Sequence, residues 1–266
     1  MCASYRGKLG EPVEMPYCKN KDISIYYEQH GKGEPVILVH GITVSFKENF
    51  SNFAWVDKLT ENGKQVVGLY LRAHGLSDKP LDANSYGTHN LTSDILAVMD
   101  ELKIDRASII GYSLGSALAL HLIHSYPERF SRAVLVATGD SLFGLAPSTI
   151  EQMSIDLYSA ISSETYPHHL PEHIAAYWNF VNESGANRNA LLALLKGKTQ
   201  HLSISDISNI ETPTMIISGG NDLVLGQGVK LSEKLPESVY LEFEEADHFS
   251  LAAIPEVKSA IIDFLD

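Results

Sequence analysis

The fold is decided by a short stretch near the middle of the chain: Ala107-Ser108-Ile109-Ile110-Gly111-Tyr112-Ser113-Leu114-Gly115. An apolar run typical of a strand leads into the Gly-Tyr-Ser-Leu-Gly segment, and small and apolar residues typical of a helix follow it. A strand that turns at once into a helix forces the residue between them, Ser113, into strained backbone geometry. The two glycines remove the Cβ atoms that would collide with neighbouring backbone. We therefore expect a sharp turn that exposes the Ser113 hydroxyl above the edge of a sheet.

A G-x-S-x-G sequence placed between a strand and a helix is typical of a nucleophile elbow. The backbone N–H of Leu114 then lies at the N-terminus of the helix, where it can stabilise an oxyanion formed on a substrate carbonyl. A serine hydroxyl is a poor nucleophile unless an imidazole accepts its proton. The interpretation therefore requires a histidine base and an orienting carboxylate elsewhere in the chain.

Among eleven histidines, His248 is the best candidate base, because it follows the last predicted strand and precedes a final helix. Asp222 follows the preceding strand through a Gly-Gly-Asn turn, at the same predicted sheet edge. Asp140, after an earlier strand, is a rival for the acid. The resulting order Ser113, Asp222, His248 is one of the known chain orders of such triads. Asp247, adjacent to the base, is expected to face solvent or to cap its own loop.

The composition indicates a soluble globular protein that binds small neutral molecules. The chain has 266 residues with 33 acidic and 20 basic side chains, and its formal charge of −13 repels nucleic acid and anionic membranes. Cys2 and Cys18 match no disulfide or metal spacing, so we expect reduced thiols. Segment 1–16 lacks the apolar core of a signal peptide, which favours a cytoplasmic location. The composition leaves the oligomeric state open.

The histidines do not otherwise predict a metal site. His169 and His173 are four residues apart, but neither a third ligand nor an accompanying glutamate motif is in view. His121 and His124 lie on the predicted helix after the elbow, where packing or surface roles are expected. We therefore expect neither a metal nor a cofactor.

Short apolar runs alternate with helical patterns along most of the chain. Such alternation predicts an α/β fold with a mostly parallel sheet covered by helices on both faces. The predicted strands are 23–27, 35–39, 65–71, 107–110, 133–137, 214–218 and 239–243. From Asp140 to Ile210 the pattern turns all-helical, which predicts a helical cap inserted before the last two strands. We assign residues 1–140 and 204–266 to the core and 141–203 to the cap.

Two further motifs complete a resemblance to the α/β-hydrolase family, which extends from the strand at Ile23 to the final helix. Val39-His40-Gly41-Ile42 resembles the family's HG motif, and the resemblance implies that Ile42 and Leu114 donate their backbone N–H groups to an oxyanion. His40 is then expected to be structural. Residues 71–80 resemble the family's D-x-R-G-x-G-x-S turn, with Tyr70 and Ala73 in place of the usual aspartate and glycine.

Within this family, a serine at the elbow implies an acyl-serine route, because the dehalogenases and epoxide hydrolases carry aspartate there. The sequence therefore predicts hydrolysis of a carboxylic ester or lactone of a small, largely apolar substrate, with no cofactor. Related families use the same triad for C–C bond hydrolysis or perhydrolysis, and some relatives are ligand receptors with negligible turnover. The cap carries apolar and aromatic residues that indicate either a mainly apolar acyl or alcohol pocket or, equally, a core between the cap and the sheet: Phe143, Leu145, Tyr177, Trp178 and Phe180.

Overall fold

The computed structural model describes residues 16–145 and 149–266. Cys2 and segment 1–15, which carry the expectations about the first thiol and a leader, lie outside the described residues. Cys18 is a buried free thiol, and burial raises its pKa to about 11, with nearby carboxylates adding to the effect. This thiol is therefore protonated and unreactive near neutral pH.

Eight strands form one sheet in the order β1-β2-β4-β3-β5-β6-β7-β8. The pairs β1 with β2 and β2 with β4 are antiparallel, and every other pair is parallel. The strands are β1 Tyr17–Asn20, β2 Ile23–His30, β3 Glu34–Val39, β4 Lys64–Leu69, β5 Ala107–Tyr112, β6 Phe130–Val136, β7 Thr214–Gly219 and β8 Ser238–Phe243. The mostly parallel sheet is confirmed, and all seven predicted strands are present. The missed strand, β1, is four residues long and buries one of them.

Helices cover both faces of the sheet. They are α1 Phe46–Asn49, α2 Trp55–Glu61, α3 Thr88–Glu101, α4 Leu114–Ser125, α5 Thr149–Ser162, α6 Glu172–Ser184, α7 Arg188–Leu195, α8 Ile204–Ser208, α9 Val229–Lys234 and α10 Pro255–Leu265. Helices α3 and α4 pack with Ile37 and Val39 of β3, whereas α2 and α10 pack with Val36 and Leu38. This alternation along one strand is what a sheet covered on both sides requires. No helix in the described ranges is long and apolar enough to cross a bilayer.

Helices α5, α6 and α7 follow β6 and precede β7, so the predicted helical insertion before the last two strands is confirmed. The segment after α7 is attached to the core: Gly87 and Lys198 form a parallel bridge. Gln200 donates its N–H to the Thr88 hydroxyl at 3.0 Å. Nε2 of His121 lies 2.7 Å from the Gln200 carbonyl oxygen. These contacts tie the end of the insertion to α3 and α4, while the boundaries 141 and 203 stay predictions.

The turn that departs from the family pattern is held by a buried ion pair. Nε and an Nη nitrogen of Arg72 each lie 2.6 Å from a carboxylate oxygen of Asp94. Ala73 adopts φ +77°, in the left-handed region that glycine occupies without strain. The Tyr70 hydroxyl donates to Glu28 at 2.7 Å. In this chain the turn is therefore stabilised by the Arg72–Asp94 pair, with Ala73 at the position that requires a positive φ.

Candidate active site

Ser113 lies at the junction of β5 and α4 in a strained conformation, with φ 53° and ψ −111°. Its N–H donates to the Val136 carbonyl at 2.9 Å, which fixes the turn against β6. A Cβ at position 111 would lie 2.2 Å from the Gly115 oxygen, and one at position 115 would lie 2.0 Å from the Val39 oxygen. No side chain fits at such distances. The turn therefore needs both glycines, for the steric reason that the sequence suggests.

The structure brings Ser113, His248 and Asp222 into one hydrogen-bonded chain. Ser113 Oγ lies 3.0 Å from Nε2 of His248, and Nδ1 of His248 lies 2.8 Å from Oδ2 of Asp222. The three residues are 8%, 2% and 4% exposed. A carboxylate only accepts hydrogen bonds, so the imidazole hydrogen is assigned to Nδ1. Nε2 then carries a lone pair directed at the serine hydroxyl.

The second oxygen of Asp222 is also held in place. Oδ1 accepts the N–H groups of Val224 at 2.8 Å and of Leu225 at 2.9 Å. The carboxylate therefore has one oxygen bound to its own loop and the other to the imidazole. This arrangement leaves it little freedom to rotate away from His248.

Tyr112 and Asp247 hold the loop of His248 in place. Sequence reasoning missed the first and assigned the second a local role. The Tyr112 hydroxyl donates to the His248 carbonyl at 2.7 Å. Asp247 accepts the N–H groups of Phe249 at 2.9 Å and Ser250 at 2.8 Å, which is the local capping role expected for it. Tyr112 was missed because nothing in the G-x-S-x-G pattern distinguishes a hydroxyl at its second position. Its place at the end of a buried strand was the available signal.

Asp140 lies elsewhere. Its carboxylate accepts the N–H groups of Leu231 at 2.9 Å and Lys230 at 3.3 Å, at the start of α9. A negative charge there stabilises the positive end of the helix. Of the two acids that the sequence offers, the structure places Asp222 against His248 and Asp140 on a helix N-terminus.

The two proposed oxyanion donors lie beside Ser113. Leu114 is the first residue of α4, so its N–H has no acceptor within the helix. Ile42 lines a cavity together with Ser113. Its loop is held by Asn49, whose Oδ1 accepts the Gly41 N–H at 2.8 Å. Sequence reasoning missed Asn49, which no motif marks.

The ring of His40 also holds this loop in place through two hydrogen bonds to backbone groups. Nδ1 lies 2.7 Å from the Gly41 carbonyl oxygen, and Nε2 accepts the Leu71 N–H at 3.0 Å. Complete burial lowers the pKa of His40 to about 4. The ring is therefore neutral and structural, as expected from the sequence.

Two cavities meet at Ser113. One has a volume of about 370 Å³ and the other about 220 Å³, and Ile42, Ser113 and Tyr177 line both. His248 lines the larger cavity, and Leu114 lines the smaller one. Ser113 therefore faces two compartments with different walls.

The cap supplies part of both walls. Phe180 lines the larger cavity and Phe143 the smaller one, whereas Tyr177 borders both. Trp178 and Leu145 are not among the described lining residues of either cavity. Trp178 donates from Nε1 to the Ser163 carbonyl at 3.0 Å and so stabilises the cap internally.

The described residues hold no group of three or more His, Cys, Asp or Glu side chains suited to a metal ion. His169 lies in the turn before α6, and His173 lies in the first turn of that helix. The two rings therefore do not share one helix face.

Comparison with known proteins identifies the family. The model of the alpha/beta hydrolase fold matches residues 34–198, more than half of the chain. The protein belongs to the alpha/beta hydrolase family, as its sheet order and its elbow indicate.

Individual relatives differ in the reactions that their names give. A cis-3-alkyl-4-alkyloxetan-2-one decarboxylase of Shewanella oneidensis is 26% identical and covers 96% of this chain and 89% of its own. A 2-hydroxy-6-oxo-6-phenylhexa-2,4-dienoate hydrolase of Comamonas testosteroni is 24% identical over 96% of this chain and 97% of its own. A Bacillus subtilis protein named for synthesis of 2-succinyl-6-hydroxy-2,4-cyclohexadiene-1-carboxylate is 32% identical, but the match spans 41% of this chain and 38% of that protein.

Among solved structures, the enol-lactonase of Burkholderia xenovorans superposes with a TM-score of 0.72 at 19% identity, covering 94% of this chain and 99% of its own. Identity at that level shows a shared fold.

Proposed function

We propose that this protein is a serine hydrolase that cleaves a carboxylic ester or lactone of a small, largely apolar substrate through an acyl-serine intermediate. The observation that carries the proposal is the hydrogen-bonded chain from Ser113 through His248 to Asp222, which ends where two cavities meet. Serine, imidazole and carboxylate in this order are the parts that acyl transfer needs.

In the proposed reaction, Nε2 of His248 accepts the Ser113 proton while Oγ attacks the substrate carbonyl carbon. The carbonyl oxygen becomes an oxyanion, which the N–H groups of Ile42 and Leu114 stabilise. Asp222 stabilises the imidazolium. The imidazolium of His248 then gives its proton to the leaving oxygen as the carbon–oxygen bond breaks. A water molecule activated by His248 next attacks the acyl carbon and releases the acyl group from Ser113.

The walls favour this reaction over hydrolysis of a carbon–carbon bond in a dienoate, the substrate named for the Comamonas relative. A dienoate carries a carboxylate, which needs a cationic partner when it is buried. Neither cavity has a lysine or an arginine among its described lining residues, and the larger one includes Glu48 and Glu183. A lactone or ester makes no such demand. The oxetan-2-one named for the Shewanella relative is itself a lactone.

A fluorophosphonate tests the nucleophile directly. We expect one covalent adduct on the intact protein, located at Ser113 by peptide mass spectrometry and absent from Ser113→Ala. An adduct at another serine would contradict the assignment. Steady turnover of 4-nitrophenyl butyrate, rather than a single burst, distinguishes an enzyme from a ligand receptor that retains the fold.

A further inference from the structure

The loop that carries the proposed oxyanion donor Ile42 contains an unusual three-residue turn. The Val44 N–H donates to the Ile42 carbonyl oxygen at 2.8 Å, and the residue between them, Thr43, has φ +68°. A bond between residues two apart, closed over a residue of positive φ, is the classic γ-turn, which is rare and strained. A β-branched residue at positive φ is an outlier in any turn. Backbone strain is therefore concentrated at Thr43, next to the donor.

The turn lies against Ser113. Gly41, which precedes Ile42, packs so closely that a Cβ built on it would lie 3.5 Å from Cβ of Ser113. Thr43 is 2% exposed and lines the larger cavity together with Ser113. A shift of this loop therefore changes the position of the Ile42 N–H relative to the nucleophile.

The peptide unit before Ile42 has a fixed orientation. Nε2 of His40 accepts the Leu71 N–H, so the hydrogen of the neutral ring is on Nδ1. Nδ1 donates it to the Gly41 carbonyl oxygen at 2.7 Å. The Gly41–Ile42 peptide bond is trans, and in a planar trans peptide the N–H points opposite to the C=O. The Ile42 N–H is therefore directed away from the His40 ring, and rotating it would break the bond to His40.

The peptide unit after Ile42 is held by the γ-turn. Its C=O accepts the Val44 N–H, and this bond requires the positive φ of Thr43. Ile42 therefore lies between two restrained peptide units, one bonded to a buried imidazole and the other closed by the strained turn. The direction of the Ile42 N–H is thus set before any substrate binds. Donors that are oriented in advance stabilise an oxyanion without a cost of reorganisation.

Both ends of the loop are fixed to α1. Asn49 Oδ1 accepts the Gly41 N–H at 2.8 Å. At the other end, Ser45 is the N-cap of α1, and its N–H donates to the Glu48 carboxylate at 2.9 Å. A strained residue persists only where the surrounding structure over-determines it, and such residues cluster at active sites. The two fixed ends provide the restraint that keeps Thr43 in its strained conformation.

We infer that Thr43 is a positioning residue for the hydrolysis, because its strained γ-turn holds the Ile42 N–H in the orientation that the oxyanion requires. The inference rests on the proposed ester hydrolysis at Ser113. In this role Thr43 acts through the backbone of Ile42. A β-branched side chain leaves the backbone few conformations, whereas glycine permits many, so the identity of residue 43 determines how rigid the turn is.

Thr43→Gly tests the inference, because glycine adopts positive φ without strain and leaves the turn free to open. The strain released exceeds the conformational entropy that glycine adds to the unfolded chain, so the Tm should rise by about 2–4 °C. The kcat for 4-nitrophenyl butyrate should nevertheless fall by about tenfold or more, up to the roughly 10²–10³ that loss of one oxyanion donor costs. KM should not change, because the donor acts only in the transition state. A merely structural residue would instead lose stability and turnover together.

An alkyl trifluoromethyl ketone gives a second readout. Oγ of Ser113 adds to its carbonyl carbon, His248 takes the proton, and the carbonyl oxygen becomes the oxyanion of a hemiketal. The inhibition constant should rise in Thr43→Gly by the factor by which kcat falls, since transition-state analogues bind through the interactions that stabilise the transition state. An unchanged inhibition constant with a lowered kcat would place the loss outside the oxyanion interaction and overturn the inference.

Two further variants separate the alternatives. Thr43→Val keeps the β-branch and removes only the hydroxyl, so its kcat should exceed that of Thr43→Gly by at least about fivefold. Equal kcat in the two variants would assign the effect to the hydroxyl and overturn the inference. Lys103→Gly is the matched control, because Lys103 has φ +55° in an exposed turn after α3. It should raise the Tm in the same way and leave kcat unchanged, and a fall in kcat as large as that of Thr43→Gly would assign the effect to a general loss of rigidity.

The inference and the proposed function fail separately. Unchanged kcat in Thr43→Gly, or an unchanged or lower Tm, would overturn the inference while hydrolysis at Ser113 stands. Absence of Ser113-dependent hydrolysis by the unsubstituted protein would instead contradict the proposed function. The comparison of Tm between Thr43→Gly and Lys103→Gly would still show whether the turn is strained.

Discussion

Replacing Asp222 by asparagine tests the whole hydrogen-bonded chain. The amide oxygen can keep the two N–H bonds that Oδ1 accepts from Val224 and Leu225, so the loop should stay folded. The amide nitrogen then occupies the position of Oδ2, 2.8 Å from Nδ1 of His248. That nitrogen donates and cannot accept, so the imidazole is forced to carry its hydrogen on Nε2.

An imidazole with its hydrogen on Nε2 cannot accept the Ser113 proton. The variant also lacks the negative charge that stabilises the imidazolium. We expect kcat to fall by on the order of 10⁴, equivalent to about 5.4 kcal/mol of transition-state stabilisation. The assay is steady-state hydrolysis of 4-nitrophenyl butyrate, with thermal unfolding recorded in parallel to show that the fold persists.

Asp140→Asn is the matched control, because it makes the same chemical change at the rival acid. Its carboxylate contacts the start of α9, so the variant should lose about 0.3–1 kcal/mol of stability and keep nearly full turnover. Near-normal turnover in Asp222→Asn together with a collapse in Asp140→Asn, both folded, would refute the assignment of the acid.

Three further outcomes are expected. Gly115→Ala places a Cβ 2.0 Å from the Val39 oxygen, so the free energy of unfolding measured in urea should fall by about 1–3 kcal/mol or more, and an unchanged midpoint would contradict the close approach at the elbow. Tyr177 borders both cavities at Ser113, so Tyr177→Phe should unfold at the same temperature but lose about tenfold in kcat/KM through the loss of one hydrogen bond to substrate; equal kinetics would show that the hydroxyl does not touch substrate. Burial lowers the pKa of His40 to about 4 and of His74 to about 3, from 6.5. The unfolded chain therefore binds more protons below pH 6.5, and urea titrations should show stability falling from pH 6.5 towards 4, by at most about 1.4 kcal/mol per pH unit for each ring.

The sheet and the elbow could be predicted from the sequence because their signals are local. Apolar runs of strand length alternate with helical patterns, and Gly111 and Gly115 flank Ser113 at the spacing that a strand-to-helix turn requires. Each of these features depends on neighbours within a few residues. The short strand β1 was not predicted, because Cys18 is its only buried residue and one buried residue produces no alternation of apolar and polar side chains.

The choice between Asp222 and Asp140 needed the tertiary structure. Both follow a strand at the same edge of the sheet, and the sequence favoured Asp222 by analogy with known triads while Asp140 stayed a rival. The structure distinguishes the two acids by the loops that follow β6 and β7 in the chain. Asp140 accepts a backbone N–H of α9, whereas the loop of Asp222 turns towards the imidazole of His248. Contacts of this kind depend on the packing of whole elements rather than on local pattern.

The division of the substrate space is likewise a property of the packed molecule. The sequence by itself predicted a helical cap that contains aromatic residues, and it offered Ser113, Asp222 and His248 as the candidate serine, acid and base. Only the folded chain placed Tyr177 between two cavities, directed Trp178 into the cap, and left His248 in one cavity and Leu114 in the other. The physical reason is distance along the chain: Ser113 and His248 meet across 135 residues, and a cavity exists only where many such separate segments leave space between them.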